Sequence, residues 1–80
     1  MSNSNLPGWK WIVRDPEILG GDPRIRGTRL SVAFVLELLS SGVTPDEMAE
    51  EFSPFPEESI PEVLKFAALK VAGKEPNVPA

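Results

Sequence analysis

Nine prolines are spread through these 80 residues, and they limit every element the chain can build. A proline has no backbone N–H to donate and holds φ near about −65°, so it belongs in the first turn of a helix, at a sheet edge or in a loop. The chain is thereby cut into short pieces, and no element should be long. A chain of this length buries only about 60% of the surface its unfolded form exposes, so there is room for one core and one domain.

The pieces can be read in order. The segment 1–8 is polar and unpatterned, and 73–80 carries two further prolines. Both are expected to be flexible ends around a single domain over 9–72. Trp11-Ile12-Val13 is β-prone and runs into Asp15-Pro16, a turn opener, and then Gly20-Gly21-Asp22-Pro23, a second turn cluster. Arg24-Ile25-Arg26 and Thr28-Arg29-Leu30 alternate polar and apolar about Gly27, which predicts a small hairpin or bulge.

From Ser31 the period changes. Val32, Val35, Leu36 and Leu39 recur at helical spacing behind a Ser31 cap, and Gly42 stops the run. Phe34 and Leu38 lie on the other side of this first helix, so its second face needs the hairpin or another chain. Thr44-Pro45-Asp46-Glu47 is a capping box with proline at the first helical position. It follows Gly42 so closely that the first two helices must turn sharply against each other. Ile60, Val63, Leu64, Ala67 and Val71 form the stripe of a third helix. Its start has two readings: Glu57-Glu58 suit a first turn, and Ser59-Ile60-Pro61-Glu62 is itself a capping-box pattern. The fold class is therefore mainly α, three helices in a helix-turn-helix outline behind a short β arm.

The chain has no Cys, no His and no Tyr. That removes disulfides, Cys/His zinc sites, thiol nucleophiles and any dyad or triad with a histidine base. Neighbouring acids such as Glu50-Glu51 or Glu57-Glu58 point about 100° apart on a helix and do not converge on a metal or a proton. No cofactor, no metal and no catalytic residue are expected. No apolar run approaches the ~20 residues of a membrane span, and the first residues have neither a basic nor an apolar targeting segment. The expectation is a cytoplasmic protein without membrane contact.

The net charge of −4 is unevenly spread. Residues 1–30 carry five Lys/Arg against three acids, and the remaining fifty carry three Lys against nine acids. Arg14, Arg24, Arg26 and Arg29 are the candidates for contact with a partner's carboxylates or with phosphate, because a guanidinium fork suits both. The alternative is that they pair with Asp15, Glu17, Asp22 or the acidic helices. A DNA-reading third helix would lead with Glu57, Glu58 and Glu62, which repel phosphate. Phe66 and Leu69 fall off the main stripe of that helix and join Phe34 and Leu38 as candidate interface residues, unless the hairpin or Trp9 and Trp11 fold over them.

Ile12-Val13-Arg14-Asp15-Pro16, Gly20-Gly21-Asp22-Pro23 and above all Arg26-Gly27-Thr28-Arg29, followed by Leu30 and Val32, resemble domain-of-unknown-function family 433, the VapB-like antitoxin family. The resemblance covers most of 12–68, with Gly21, Gly27 and Thr28 as its structural positions. The chain departs from the pattern at Ser31, where members tend to have proline, and at Pro56, where they tend to have Thr or Ser. The resemblance implies a homeodomain-like three-helix fold behind a β arm, often dimeric through that arm, in bacteria or archaea, and often encoded beside a PIN-like ribonuclease. The implied role is that of an antitoxin which caps this nuclease and binds its own promoter. A dimeric DNA-binding regulator and an interaction scaffold are the other two readings.

Overall fold

The computed structural model describes residues 9–79, and the flexible segment expected over 1–8 lies outside the described residues. Two strands, β1 (Ile12–Val13) and β2 (Arg24–Ile25), precede three helices, α1 (Val32–Ser40), α2 (Pro45–Glu51) and α3 (Ile60–Val71). The strands pair antiparallel with Ile12 opposite Ile25 and Val13 opposite Arg24. Beyond this ladder Arg24 also bridges to Ser31. The chain is thus a small antiparallel sheet leading into three helices.

The helix starts follow the local chemistry. Ser31 Oγ accepts from Phe34 N at 3.0 Å, one of the donors that the first turn of α1 leaves unpaired. At α2 the capping box is complete: Thr44 Oγ1 accepts from Glu47 N at 3.2 Å, and Glu47 Oε1 accepts from Thr44 N at 2.8 Å. The start of α3 resolves the two readings of its sequence. Glu57–Ser59 form a single 3-10 turn that runs straight into α3. Ser59 is already helical, makes no capping bond and is fully buried. The Ser59–Glu62 capping box does not form, because Glu62 turns to the N-terminal segment instead.

One core joins all the elements. Ile12 and Ile25 come from the sheet, Val32 and Val35 from α1, Met48 from α2, Phe55 from the linker, and Val63 and Phe66 from α3. Each side chain is small or medium in size except the two phenylalanines, and each contributes roughly 1.5–3 kcal/mol by leaving water. Phe34, on the outer side of α1, meets Phe52 edge to face at 5.6 Å between ring centroids. The second face of α1 is therefore partly covered by the end of α2.

The buried face of α3 differs from the one its apolar spacing suggests. Val63 and Phe66 are buried, whereas Leu64 and Val71 remain 52% and 89% exposed. The reason is the Trp9 ring, which packs edge-on against Phe66 at 6.0 Å between centroids. Covering Phe66 with the N-terminal segment turns α3 by about one residue and takes Leu64 out of the core. The segment after α3, expected as a loose end, lies against the domain: Pro76 is buried, Val78 packs on the core, and Arg14 N donates to Pro79 O at 2.7 Å.

The orientation of α3 has a direct test in urea unfolding. Phe66→Ala is expected to cost about 3–5 kcal/mol, and Leu64→Ala less than about 1 kcal/mol. Equal losses at the two positions would mean that Leu64, not Phe66, faces the core.

Candidate partner-binding turn

The Arg26–Arg29 segment is a closed turn with its own internal scaffold. Thr28 N donates to Ile25 O at 3.0 Å and Ile25 N to Leu30 O at 2.9 Å, so the chain reverses within four residues. Thr28 Oγ1 donates to Ile25 O at 2.8 Å and accepts from Leu30 N at 3.0 Å. Gly27 has φ +81° with nothing within 4 Å of where a Cβ would stand. Glycine is needed there for the backbone and not for space. Arg24 Nη1 donates to Thr28 O at 3.1 Å and ties the turn to its own strand.

A second left-handed stretch precedes β2. Leu19, Gly20 and Gly21 have φ +55°, +63° and +88°, and Asp22 N donates to Leu19 O at 3.1 Å across them. An L-residue such as Leu19 holds this conformation at a cost of roughly 1–2 kcal/mol. Two glycines beside it keep the rest of the reversal free of that cost.

The four arginines do not act as one cluster. Arg24 is half-buried and serves the turn. Arg26 Nε donates to Lys10 O at 2.7 Å, and Arg26 N to Trp11 O at 2.7 Å, so this residue fastens the N-terminal segment. Arg14 lies apart, with Nη2 3.5 Å from Glu75 Oε2. Arg29 is exposed and makes no hydrogen bond or ion pair among the described residues. Asp15, Glu17 and Asp22 are not the partners of these arginines. Backbone carbonyls take two of them, and an acid far along the chain takes a third.

Beside the turn is a groove of about 380 Å³. Trp11, Pro54, Phe55 and Pro56 give it apolar walls, Arg26 to Thr28 form one rim, and Glu58 stands at another. Lys10 Nζ lies 5.3 Å from the centre of the Trp11 ring, a cation–π contact that adds positive charge nearby. The arrangement offers guanidinium and ammonium groups next to an apolar trough, and can hold an extended segment that carries a carboxylate.

The remaining candidates divide. Phe66 is 5% exposed and belongs to the core, so the exposed patch expected of it and Leu69 does not form. Its place off the stripe is explained by Trp9, which the sequence had offered as the other covering. Leu69 is half-buried, Leu38 is half-buried and packs on the core, and Phe34 stays 38% exposed.

Two contacts that hold the segments around the turn have little signature in the sequence. Glu62 Oε1 accepts from Trp11 N at 2.8 Å and Oε2 from Lys10 N at 2.9 Å, so one carboxylate holds two successive N–H groups. Glu75 accepts from Lys70 Nζ at 2.9 Å and also faces Arg14. The bond to Lys70, followed by the charges of Lys70 and Arg14, holds the Glu75 carboxyl below the usual range. Glu57 is shifted the other way, chiefly by a hydrogen bond shared with Asp46 and also by the charges of Asp46 and Glu58.

The matching residues fix the family. The sequence model described as "Protein of unknown function (DUF433)" matches residues 12–67. The chain belongs to the DUF433 family. No curated protein and no solved structure matches it. The DUF433 match takes in β1, the Arg26–Arg29 turn, α1, α2 and most of α3. Glu75 and the residues that fold back onto β1 lie beyond it.

Acid titration separates the two shifted carboxyls. A lowered folded pKa means that Glu75 stabilises above the ordinary carboxylate range and loses this as pH falls through its folded value; a raised one means that Glu57 destabilises once ionised. In urea unfolding Glu75→Gln should be less stable than the parent above the ordinary carboxylate range and approach it as pH falls through the lowered folded value of Glu75, and Glu57→Gln should be slightly more stable than the parent only where Glu57 is ionised. Glu62→Gln should lose about 1 kcal/mol, because one exposed and one part-buried N–H donor lose a charged acceptor and the amide has a single oxygen to offer them. An unchanged midpoint would show that the carboxylate does not hold the arm.

Proposed function

We propose that this chain is a non-catalytic, antitoxin-type protein that binds and neutralises a PIN-like ribonuclease in a prokaryotic cytoplasm. In this reading the three helices form a homeodomain-like helix-turn-helix bundle that presents the arginine turn. Arg29, with the free edge of Arg26, reaches the acidic, metal-binding centre of the nuclease, and the groove beside the turn takes an apolar stretch of the same partner. The observation that carries the reading is the build of the turn. Arg24, Gly27 and Thr28 hold it rigid, while Arg29 is left exposed at its tip. A charged group on a pre-ordered turn loses little freedom on binding, and a guanidinium fork suits the paired carboxylates of such a centre.

The basic first third of the chain also supports a second reading, a dimeric regulator of its own promoter. Against it stand the acids that lead α3. Glu57 and Glu58 are exposed, and Glu62 is engaged with Lys10 and Trp11 and supplies no contact to a groove. Nucleic-acid affinity comes mainly from neutralising phosphates, and the face that would enter the groove carries the wrong sign.

The test is binding to the nuclease encoded beside this chain, read by calorimetry and by relief of RNA cleavage. Arg29→Glu should weaken affinity at least about tenfold, roughly 1.4 kcal/mol, without changing thermal unfolding. Affinity that does not change would sink the mechanism. A parent chain that ignores the nuclease yet binds its promoter, with affinity falling steeply as salt rises, would establish the regulator instead.

A further inference from the structure

Arg14 stands apart from the turn, and the chain's own tail lies over it. Residues 74–79 fold back past Lys70 to the outer margin of β1, where Arg14 N donates to Pro79 O at 2.7 Å. On the way Glu75 enters between two cations: its Oε1 accepts from Lys70 Nζ at 2.9 Å, and its Oε2 lies 3.5 Å from Arg14 Nη2. The bond to Lys70 and the charges of both cations hold its carboxyl below the usual range. Pro76 is buried and Val78 packs on the core. An acid, an apolar residue and a backbone carbonyl of the tail thus occupy a carboxylate seat, an apolar seat and a strand margin in turn.

The tail fills these seats incompletely and is lightly held. Arg14 Nε is buried and has no hydrogen-bond partner among the described residues, so Glu75 does not fill the guanidinium fork. A carboxylate set side-on would meet Nε together with Nη2. Asp15, the acid next to Arg14, is engaged with Glu17 N. Pro76 and Pro79 have no N–H to give to a neighbouring strand, and among the described residues one backbone hydrogen bond ties 75–79 to the sheet. The ion pairs are open to water, with the Glu75 side chain 67% exposed, and such pairs stabilise little. A segment held in this way opens locally, without the rest of the domain.

We propose that the outer margin of β1, with Arg14 and Lys70 beside it, is a binding site for an extended, acidic segment of another protein, and that residues 74–79 are its displaceable cover. The chemistry of the occupant is read from the cover it replaces. It brings a carboxylate for Arg14 and Lys70, an apolar side chain three residues later, as Val78 follows Glu75, and backbone that continues the sheet. Opening the cover costs free energy, so a segment gains entry only by filling Arg14 better than Glu75 does. The site makes no use of Arg29; it goes beyond the nuclease-binding reading and does not depend on it.

Opening is read in the full parent chain by amide hydrogen exchange, comparing the two sides of β1. Arg14 N–H, on the covered side, should exchange at least about tenfold faster than Arg26 N–H, which donates to Trp11 O on the β2 side. Equal protection would mean that 74–79 open only with the whole domain, and overturns the proposal. Binding is read by fluorescence anisotropy with a labelled peptide of the tail sequence, Lys-Glu-Pro-Asn-Val-Pro, as the acidic segment, and with the same peptide carrying Gln for Glu. The double variant Glu75→Gln, Val78→Ser loosens the cover and keeps Arg14 and Lys70. It should bind the acidic peptide at least about tenfold more tightly than the parent does, and lose most of that gain with the Gln peptide or on adding Arg14→Gln. Its circular dichroism spectrum should match the parent's; if it does not, Glu75→Gln alone takes its place. Equal affinity of parent and variant, or equal affinity for the two peptides, overturns the proposal. So does a variant that takes no peptide and doubles its mass instead, because the site would then accept only a second copy of the chain.

Discussion

The carboxylate of Glu62 decides how the two halves of the molecule meet. It accepts from two successive backbone N–H groups, at Lys10 and Trp11, and so sets the N-terminal segment along the start of α3. Hydrogen bonds to a charged acceptor are the stronger kind, and a short strand with unpaired donors has few other ways to be fixed. Next to this attachment lie Trp9 over Phe66, the turn of α3 that exposes Leu64, and the pairing of Ile12 with Ile25. Arg26 completes the attachment from the other side through Lys10 O.

The arginine turn depends on this arm as well. Arg26 holds the carbonyls of Lys10 and Trp11 with its guanidinium and its backbone N–H. The turn and the arm thus order each other, and the groove between the turn and Pro54 to Pro56 exists because both are fixed. Arg29 is the member of the group that this framework does not use. Neighbouring arginines thus build the platform, and one is left exposed on it.

The local signals were legible because each rests on a few adjacent residues. The Ser31 cap, the Thr44 to Glu47 capping box and the reversal at Gly27 all formed as their sequences suggest. What the sequence hid was tertiary. Glu62 matched a capping pattern three residues from Ser59, and only the presence of the arm at that point diverted it. By spacing Leu64 lay on the apolar stripe and Phe66 off it, and a Trp more than fifty residues away reversed that order. Of the candidate site, the residue types and the glycine could be read directly. That Arg24 and Arg26 would bind carbonyls while Arg29 stood apart could not, since any of the three can serve either purpose.

The residues that follow α3 give the domain a boundary different from the one its family match suggests. That match ends at residue 67, yet Val78 packs on the core and Pro79 O meets the arm at Arg14. A fragment trimmed to the matched span would lose the last turn of α3 and bare a donor on the outer strand. An uncovered strand margin is a template on which other chains can add. Such a fragment would expose that donor and would also lack Trp9 to Trp11, and with them the ring over Phe66 and the N–H groups that Glu62 holds.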